Sequence, residues 1–183
     1  VRITPIAFRD PPLLNAAGIH EPWALRSIIE IETDSGLVGI NESYGDLPML
    51  DTFIDAGFPL NTQDDKGYTA LILAAYHGES AYVERLLAAG ADACVQDNRG
   101  NTALMGAIFK GELKIAQRLL STDCNPDQRN GAGQTAAMYA GLFKRLELLD
   151  ELKAKGADLN AEDPIGNSAS RLASGEIRTP ASR

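Results

Sequence analysis

Four short stretches of this chain open on glycine and recur at one interval. Gly67 is followed by Tyr68-Thr69-Ala70-Leu71, Gly100 by Asn101-Thr102-Ala103-Leu104, Gly133 by Gln134-Thr135-Ala136-Ala137, and Gly166 by Asn167-Ser168-Ala169. The interval is 33 residues each time. Two more series keep it: Gly57, Gly90, Asp123, Gly156, and Asn61, Cys94, Asp127, Asn160. Three series locked at one period mean stacked supersecondary units, each too small to bury its apolar face alone. The period dictates a mainly α fold, a solenoid of helix-turn-helix units. It does not reach the first 46 residues, which read as β structure.

Each full unit has the same grammar. Asp64 to Gly67 is a tight turn, and Thr69 starts a short helix that Gly78 breaks. A second helix begins at Glu79 or Ser80, runs through Val83, Leu86 and Leu87, and closes at Gly90-Ala91-Asp92. The next unit repeats this with Asp97 to Gly100, Thr102, Gly111 and Leu119-Leu120. The third does so with Asn130 to Gly133, Thr135, Leu148-Leu149 and Gly156-Ala157-Asp158. The expected organisation is a half repeat at 47–63, full repeats at 64–96, 97–129 and 130–162, and a closing unit at 163–183. That closing unit fades into a polar tail from Ser170 that reads as a cap with a disordered end.

These turns, the central glycine and the Leu-Leu-x-x-Gly-Ala-Asp close resemble ankyrin repeats, in particular those of bacterial, pseudomonad-type proteins. The resemblance covers about residues 47–175 and implies a non-catalytic protein-binding solenoid. The chain departs from it in two columns. Ala70, Ala103 and Ala136 stand where the family usually has Pro, and Ile72, Met105 and Met138 where it usually has His. The hydrogen bonding between Thr and His that ties neighbouring repeats is then lost, and apolar packing is expected in its place.

In the first 46 residues, Val1-Arg2-Ile3-Thr4 alternates, and Pro5 marks an edge strand because it cannot donate to a ladder. A loop from Leu13 to Pro22 follows. Leu25 to Thr33 and Leu37 to Tyr44 then alternate around a turn at Asp34-Ser35-Gly36. The expected structure is a three-stranded antiparallel meander with a long first connection. The run from Arg2 to Asp46 resembles the N-terminus of glucarate dehydratases of the enolase superfamily, where it opens the capping domain. The resemblance implies that Asn15 and His20 are remnants of a substrate-contacting loop. It also implies a following barrel with Mg²⁺ carboxylates and a Lys base, and that sequence is not in this chain.

At Gly45-Asp46-Leu47-Pro48 the composition switches. Asp46 suits an N-cap and Pro48 a first helical turn. Met49, Leu50, Phe53 and Ile54 form one apolar face, and Gly57 ends the helix. This is the second helix of a repeat whose first helix is missing. Leu71, Ile72 and Ala75 are therefore expected to be partly uncovered. Two arrangements answer that exposure: the meander caps the array, or the meander pairs through its edges with another copy.

The formal net charge of −8 repels phosphate backbones, so nucleic acid is not the expected partner. No apolar run is long enough for a membrane span. No basic region followed by an apolar stretch marks a signal peptide, although Val1 leaves room for an upstream segment. Cys94 and Cys124 fall at non-equivalent repeat positions. They read as free thiols in a reducing, cytoplasmic compartment.

No catalytic constellation, metal-ligand spacing or cofactor motif emerges, so neither a metal nor a cofactor is expected. What remains is a binding surface, carried over from ankyrin arrays position by position. The first full unit supplies Asp65, Lys66, Tyr68, Tyr76 and His77. The second supplies Asn98, Arg99, Asn101, Phe109 and Lys110, and the third supplies Ala132, Gln134, Leu142 and Phe143. Tyr68, Tyr76, Phe109 and Phe143 either anchor a partner or pack between repeats. The expected function is protein–protein interaction by a fusion protein, without enzymatic activity. The alternatives are self-assembly through the β segment and the remnant of a sugar-acid dehydratase.

Overall fold

A computed structural model describes residues 2–9, 14, 15, 18, 19, 23–32, 38–43, 50, 51, 54, 55, 57 and 59–179. The chain divides into two compact units, Val1–Ala56 and Gly57–Arg183.

In the first unit, β1 (Arg2–Arg9), β4 (Trp23–Glu32) and β5 (Val38–Ser43) form an antiparallel sheet in the order β1-β4-β5. Arg2 lies opposite Glu30 and Arg9 opposite Trp23, while Ser27 lies opposite Ser43 and Glu32 opposite Val38. The connection from β1 to β4 contains a short hairpin of β2 (Leu14–Asn15) and β3 (Gly18–Ile19). The expected turn at Asp34-Ser35-Gly36 lies outside the described residues. So do Asp46, Pro48, Met49 and Phe53. Leu50, Asp51, Ile54 and Asp55 are helical, and Gly57 follows with φ +73°.

The second unit holds seven helices among the described residues. They are α1 (Ala70–His77), α2 (Ser80–Ala88), α3 (Ala103–Lys110), α4 (Leu113–Leu120), α5 (Ala136–Leu142), α6 (Leu146–Ala154) and α7 (Ala169–Ser174). Each pair packs internally, α1 on α2, α3 on α4 and α5 on α6. The first helices of successive units stack as α1-α3-α5-α7, and the second helices stack as α2-α4-α6.

The first helices start alike because a hydroxyl stands at the same place. The side chains of Thr69, Thr102, Thr135 and Ser168 accept from the backbone N–H of Ile72, Met105, Met138 and Arg171. Each bond satisfies one of the orphan donors of a helix N-terminus.

The turns before them are built around one acceptor. The carboxylates of Asp64, Asp97 and Asp163, and the amide oxygen of Asn130, each accept from backbone N–H groups two and four residues on. Gly100 closes its turn at φ +80°, and a Cβ there would lie 2.7 Å from the Gly131 nitrogen. Glycine is required at that place both for its backbone conformation and for the approach of the next turn.

Side chains then form ladders along the stack. Gln63, Gln96 and Arg129 each donate to the carbonyl four residues on. Each also donates to the carbonyl of its equivalent one unit later, at Gln96, Arg129 and Glu162. Backbone bonds join the tips directly, from Asn98 N–H to the Lys66 carbonyl and from Gly131 N–H to the Arg99 carbonyl.

The core lies between the helix layers, with Leu71, Leu86, Met105, Ile108, Met138, Leu148 and Leu152 fully buried. Burying a side chain of this size contributes roughly 1.5–3 kcal/mol. Ile72, Met105 and Met138, in the column where His is usual, are 6%, 1% and 2% exposed. The apolar layer therefore fills that column.

Three expectations are corrected. Leu71, Ile72 and Ala75 are not partly uncovered, being 1%, 6% and 0% exposed. The helix α1 that carries them packs against both α2 and α3. The closing unit does not fade at Ser170. It forms α7 to Ser174, and Arg178 is latched to Asn167 by N–H to Oδ1 (2.7 Å) and Nδ2–H to its carbonyl (3.1 Å).

The third correction concerns the cysteines. They are not free thiols: Cys94 and Cys124 form a disulfide, with a Cα–Cα separation of 5.4 Å. Their non-equivalence in the repeat is what makes the pairing work. Asn61 accepts from the Asp92 N–H and Asp127 from the Asp158 N–H, in each case 31 residues on. Cys94 occupies the same column between Asn61 and Asp127. Its partner stands 30 residues on, so a covalent rung replaces the hydrogen-bonded one.

Candidate functional site

The residues singled out by the sequence lie at the turn tips and the C-terminal ends of α1, α3 and α5. Asp65, Lys66, His77, Asn98, Arg99, Lys110 and Ala132 are exposed, while Tyr68, Asn101, Gln134 and Phe143 are half-buried. Tyr76, Phe109 and Leu142 stand at one repeat position and are 38%, 47% and 38% exposed.

The rings form a continuous row. Tyr76 and Phe109 stack at 6.2 Å between centroids with planes 10° apart. Phe109 meets Phe143 edge-on at 5.2 Å, and Tyr139 tilts toward Phe143 at 6.1 Å. His77 lies edge-on to Tyr76 at 5.4 Å, and Lys110 Nζ sits 5.0 Å from the Tyr76 ring centroid. The aromatics do pack between repeats. Tyr76 and Phe109 nevertheless remain open to solvent.

A pocket of about 370 Å³ opens beside this row. Of the expected residues it brings together Tyr68, Tyr76, His77, Arg99, Asn101 and Phe109. Asp65, Lys66, Asn98, Gln134 and Leu142 lie outside its lining, and several of these serve the scaffold. The Asn98 side chain donates to the Asp65 carbonyl (2.9 Å), and the Gln134 Oε1 accepts from Asn130 (3.4 Å). Asn15 falls in β2 opposite Gly18. His20 lies outside the described residues.

Sequence reasoning missed the remaining walls: Ile72, Leu73, Asp97, Thr102, Met105, Gly106 and Tyr139. A signal for three of them was available. Leu73, Gly106 and Tyr139 form another series at the 33-residue step, with the side chain missing from its middle member.

One end of the pocket is a polar network. Tyr139 donates its hydroxyl to Asn101 Oδ1 (3.3 Å) and accepts from Asn130 Nδ2 (3.2 Å). Burial pushes the Tyr139 hydroxyl above its usual value, against the lowering effect of the Asn130 bond. It therefore remains a neutral donor at ordinary pH.

The Asp97 carboxylate accepts from the N–H groups of Arg99 and Asn101, both at 2.8 Å, and from Asn101 Nδ2 at 3.2 Å. The Arg99 guanidinium has no ion-pair or hydrogen-bond partner among the described residues. One cluster among the described residues could bring ligand atoms to a metal: Asp92, Cys94 and Cys124. There the disulfide occupies both sulfurs, and Asp92 Oδ1 accepts from the Cys94 N–H.

Tandem helix pairs hinged at acid-centred turns, with a ladder along the tips, define a repeat solenoid. The sequence profile for ankyrin repeats (3 copies) matches residues 40–130 and 81–163, well over half of the chain. This chain belongs to the ankyrin-repeat family. It is also similar to a "Probable glucarate dehydratase" of Streptomyces coelicolor, 49% identical over 51 residues. That match covers 28% of this chain and 12% of the dehydratase, consistent with a fusion. No helix among the described residues is long and apolar enough to cross a membrane.

Proposed function

We propose that the array is a non-catalytic docking module whose partner is a protein held against the Tyr76–Phe109–Phe143 row. The observation that carries this reading is the row itself: stacked rings, cross-linked over three repeats, with Tyr76 and Phe109 still 38% and 47% exposed. Contiguous exposed apolar surface marks interaction sites, and aromatic anchors dominate their energetics. The dehydratase-like segment amounts to 12% of its relative, and we take it as a fusion partner rather than a catalytic unit. The cytoplasmic expectation rested on free thiols, and the disulfide removes that support.

The test compares the full chain with its Phe109→Ala variant as bait in lysate, read by quantitative mass spectrometry. The expected outcome is a partner set lost at least tenfold with Phe109→Ala, while the thermal melt stays within a few degrees. Equal capture by both baits overturns the reading. Self-association through the sheet is a second reading, because β1 and β5 each pair on one side only in the described sheet. Light scattering of the full chain decides it, and a monomer at all concentrations removes it.

A further inference from the structure

Gly106 lies inside α3, where glycine costs about 1 kcal/mol relative to alanine. The fold does not require it there. A Cβ added to Gly106 would meet Tyr76 Cδ2 at 3.8 Å and Cβ at 3.9 Å, which is ordinary van der Waals contact. Its equivalents one repeat either way are Leu73 and Tyr139. The missing side chain therefore leaves a notch between two large ones, and that notch is part of the pocket wall.

The charge around the notch does not follow that of the chain: with Lys110 at its edge, two cations face one carboxylate. The molecule carries −8. The pocket has one carboxylate, Asp97, which accepts three hydrogen bonds within its own turn. The cations beside it are exposed. Arg99 lines the pocket without a partner among the described residues, and Lys110 lies over the Tyr76 ring at its edge. The apolar row then runs on from Phe109 to Phe143, beyond the pocket. An occupant that uses the whole surface needs a large apolar group for the notch, an acidic group beside it, and further length along the row.

We propose that the Gly106 notch receives one aromatic or large aliphatic side chain of an extended acidic peptide, with an adjacent carboxylate paired to Arg99. The proposal rests on the docking reading and names the chemistry of the partner at that site. Opposite charges set register and reject partners of the wrong sign. A buried apolar anchor supplies most of the affinity.

The test uses fluorescence anisotropy with the full chain and three labelled twelve-residue peptides. One alternates Glu with Trp and Leu, one has Lys in place of Glu, and one has Ala in place of Trp and Leu. Free N-acetyl-tryptophan serves as a competitor that distinguishes a small aromatic acid from a peptide. The acidic apolar peptide is expected to bind at least tenfold more tightly than the other two, and more weakly as salt rises. Gly106→Leu should weaken it at least tenfold and Gly106→Ala severalfold, with the melting temperature of Gly106→Ala raised. Arg99→Glu should invert the preference between the acidic and basic peptides.

The proposal is overturned if no peptide binds or if the basic peptide binds equally well. It is likewise overturned if the Gly106 variants bind like the parent or if N-acetyl-tryptophan matches the peptide in affinity. Partner capture in lysate that is lost with Phe109→Ala but kept with Gly106→Leu would leave the docking reading standing and remove this one. Capture indifferent to Phe109→Ala would remove the docking reading.

Discussion

Lys144 is the one non-glycine residue with positive φ (55°) among the described residues. Gly111 and Gly78 fill the equivalent places one and two repeats earlier. A side chain in that conformation costs on the order of 1 kcal/mol. It is retained where its ammonium donates to the carbonyls of Leu172 and Ala173 at the end of α7, each at 2.9 Å. Lys144→Ala keeps the strain and loses both bonds, so it should destabilise by about 1–2 kcal/mol. Lys144→Gly relieves the strain while losing the bonds, and should fall near the parent. Urea melts check this order, and an alanine variant as stable as the glycine one contradicts it.

Asp163 supplies the acid-side prediction. Burial acts to raise its carboxyl, but hydrogen bonds from the Asn167, Ile165 and Gly166 backbone and the Asn167 side chain together hold it below the ordinary value. A depressed folded value means stability that is complete above the unfolded value of about 3.9 and lost as pH falls through the folded one. Asp163→Asn should therefore be less stable than the parent at pH 7, with the gap narrowing at pH 3. A gap that is constant with pH would show that the carboxylate charge is not what the turn uses.

At the scale of elements, the hydroxyl caps set where each first helix begins. Thr102 is 6% exposed, so Thr102→Ala leaves the Met105 N–H without its acceptor or water. A loss of about 1 kcal/mol is expected, recovered by Thr102→Ser, with denaturant midpoints as the measure.

The ankyrin repeats were legible because each depends on local chemistry repeated at a fixed step: an acid or Asn, a glycine, a hydroxyl, and leucines on one face. Part of the aromatic row was legible in the same way, since Tyr76 and Phe109 occupy one column. The pocket was not. Its walls come from three repeats at once, and its defining member, Gly106, is visible only as a missing side chain. The disulfide was hidden for a related reason. Its two ends keep a step of 30 where the side-chain rungs from Asn61 and Asp127 keep 31, and a search by the period passes over it.

For the whole molecule, stability in such an array is a sum of unit and interface terms. The Cys94–Cys124 bond closes a loop across one interface, between units 64–96 and 97–129, with a sequence separation of 30. A loop of that length contributes roughly 3–4 kcal/mol in the chain-entropy view. Reduction should lower the unfolding free energy by an amount of that order, and Cys94→Ser with Cys124→Ser should match the reduced parent. Indifference to reductant in urea melts would show that the bond constrains nothing in the unfolded chain. Lys155 marks how differently this turn is built, since its ammonium donates to the carbonyls of Leu120 and Thr122, beside Asp123 in the glycine column.

The same bond decides how the array would yield if pulled from its two ends. The hydrogen-bonded rungs on either side part singly, but the covalent rung bridges both helices of one unit. The 30 residues it spans can lose their packing without lengthening the tether. Fully extended, they correspond to roughly 100 Å of contour. In an optical trap the oxidised chain should fall short of its full extension by that length, and reductant should release it as a step. A solenoid held this way is a ratcheted spring, with its middle coil tied shut beside the aromatic row.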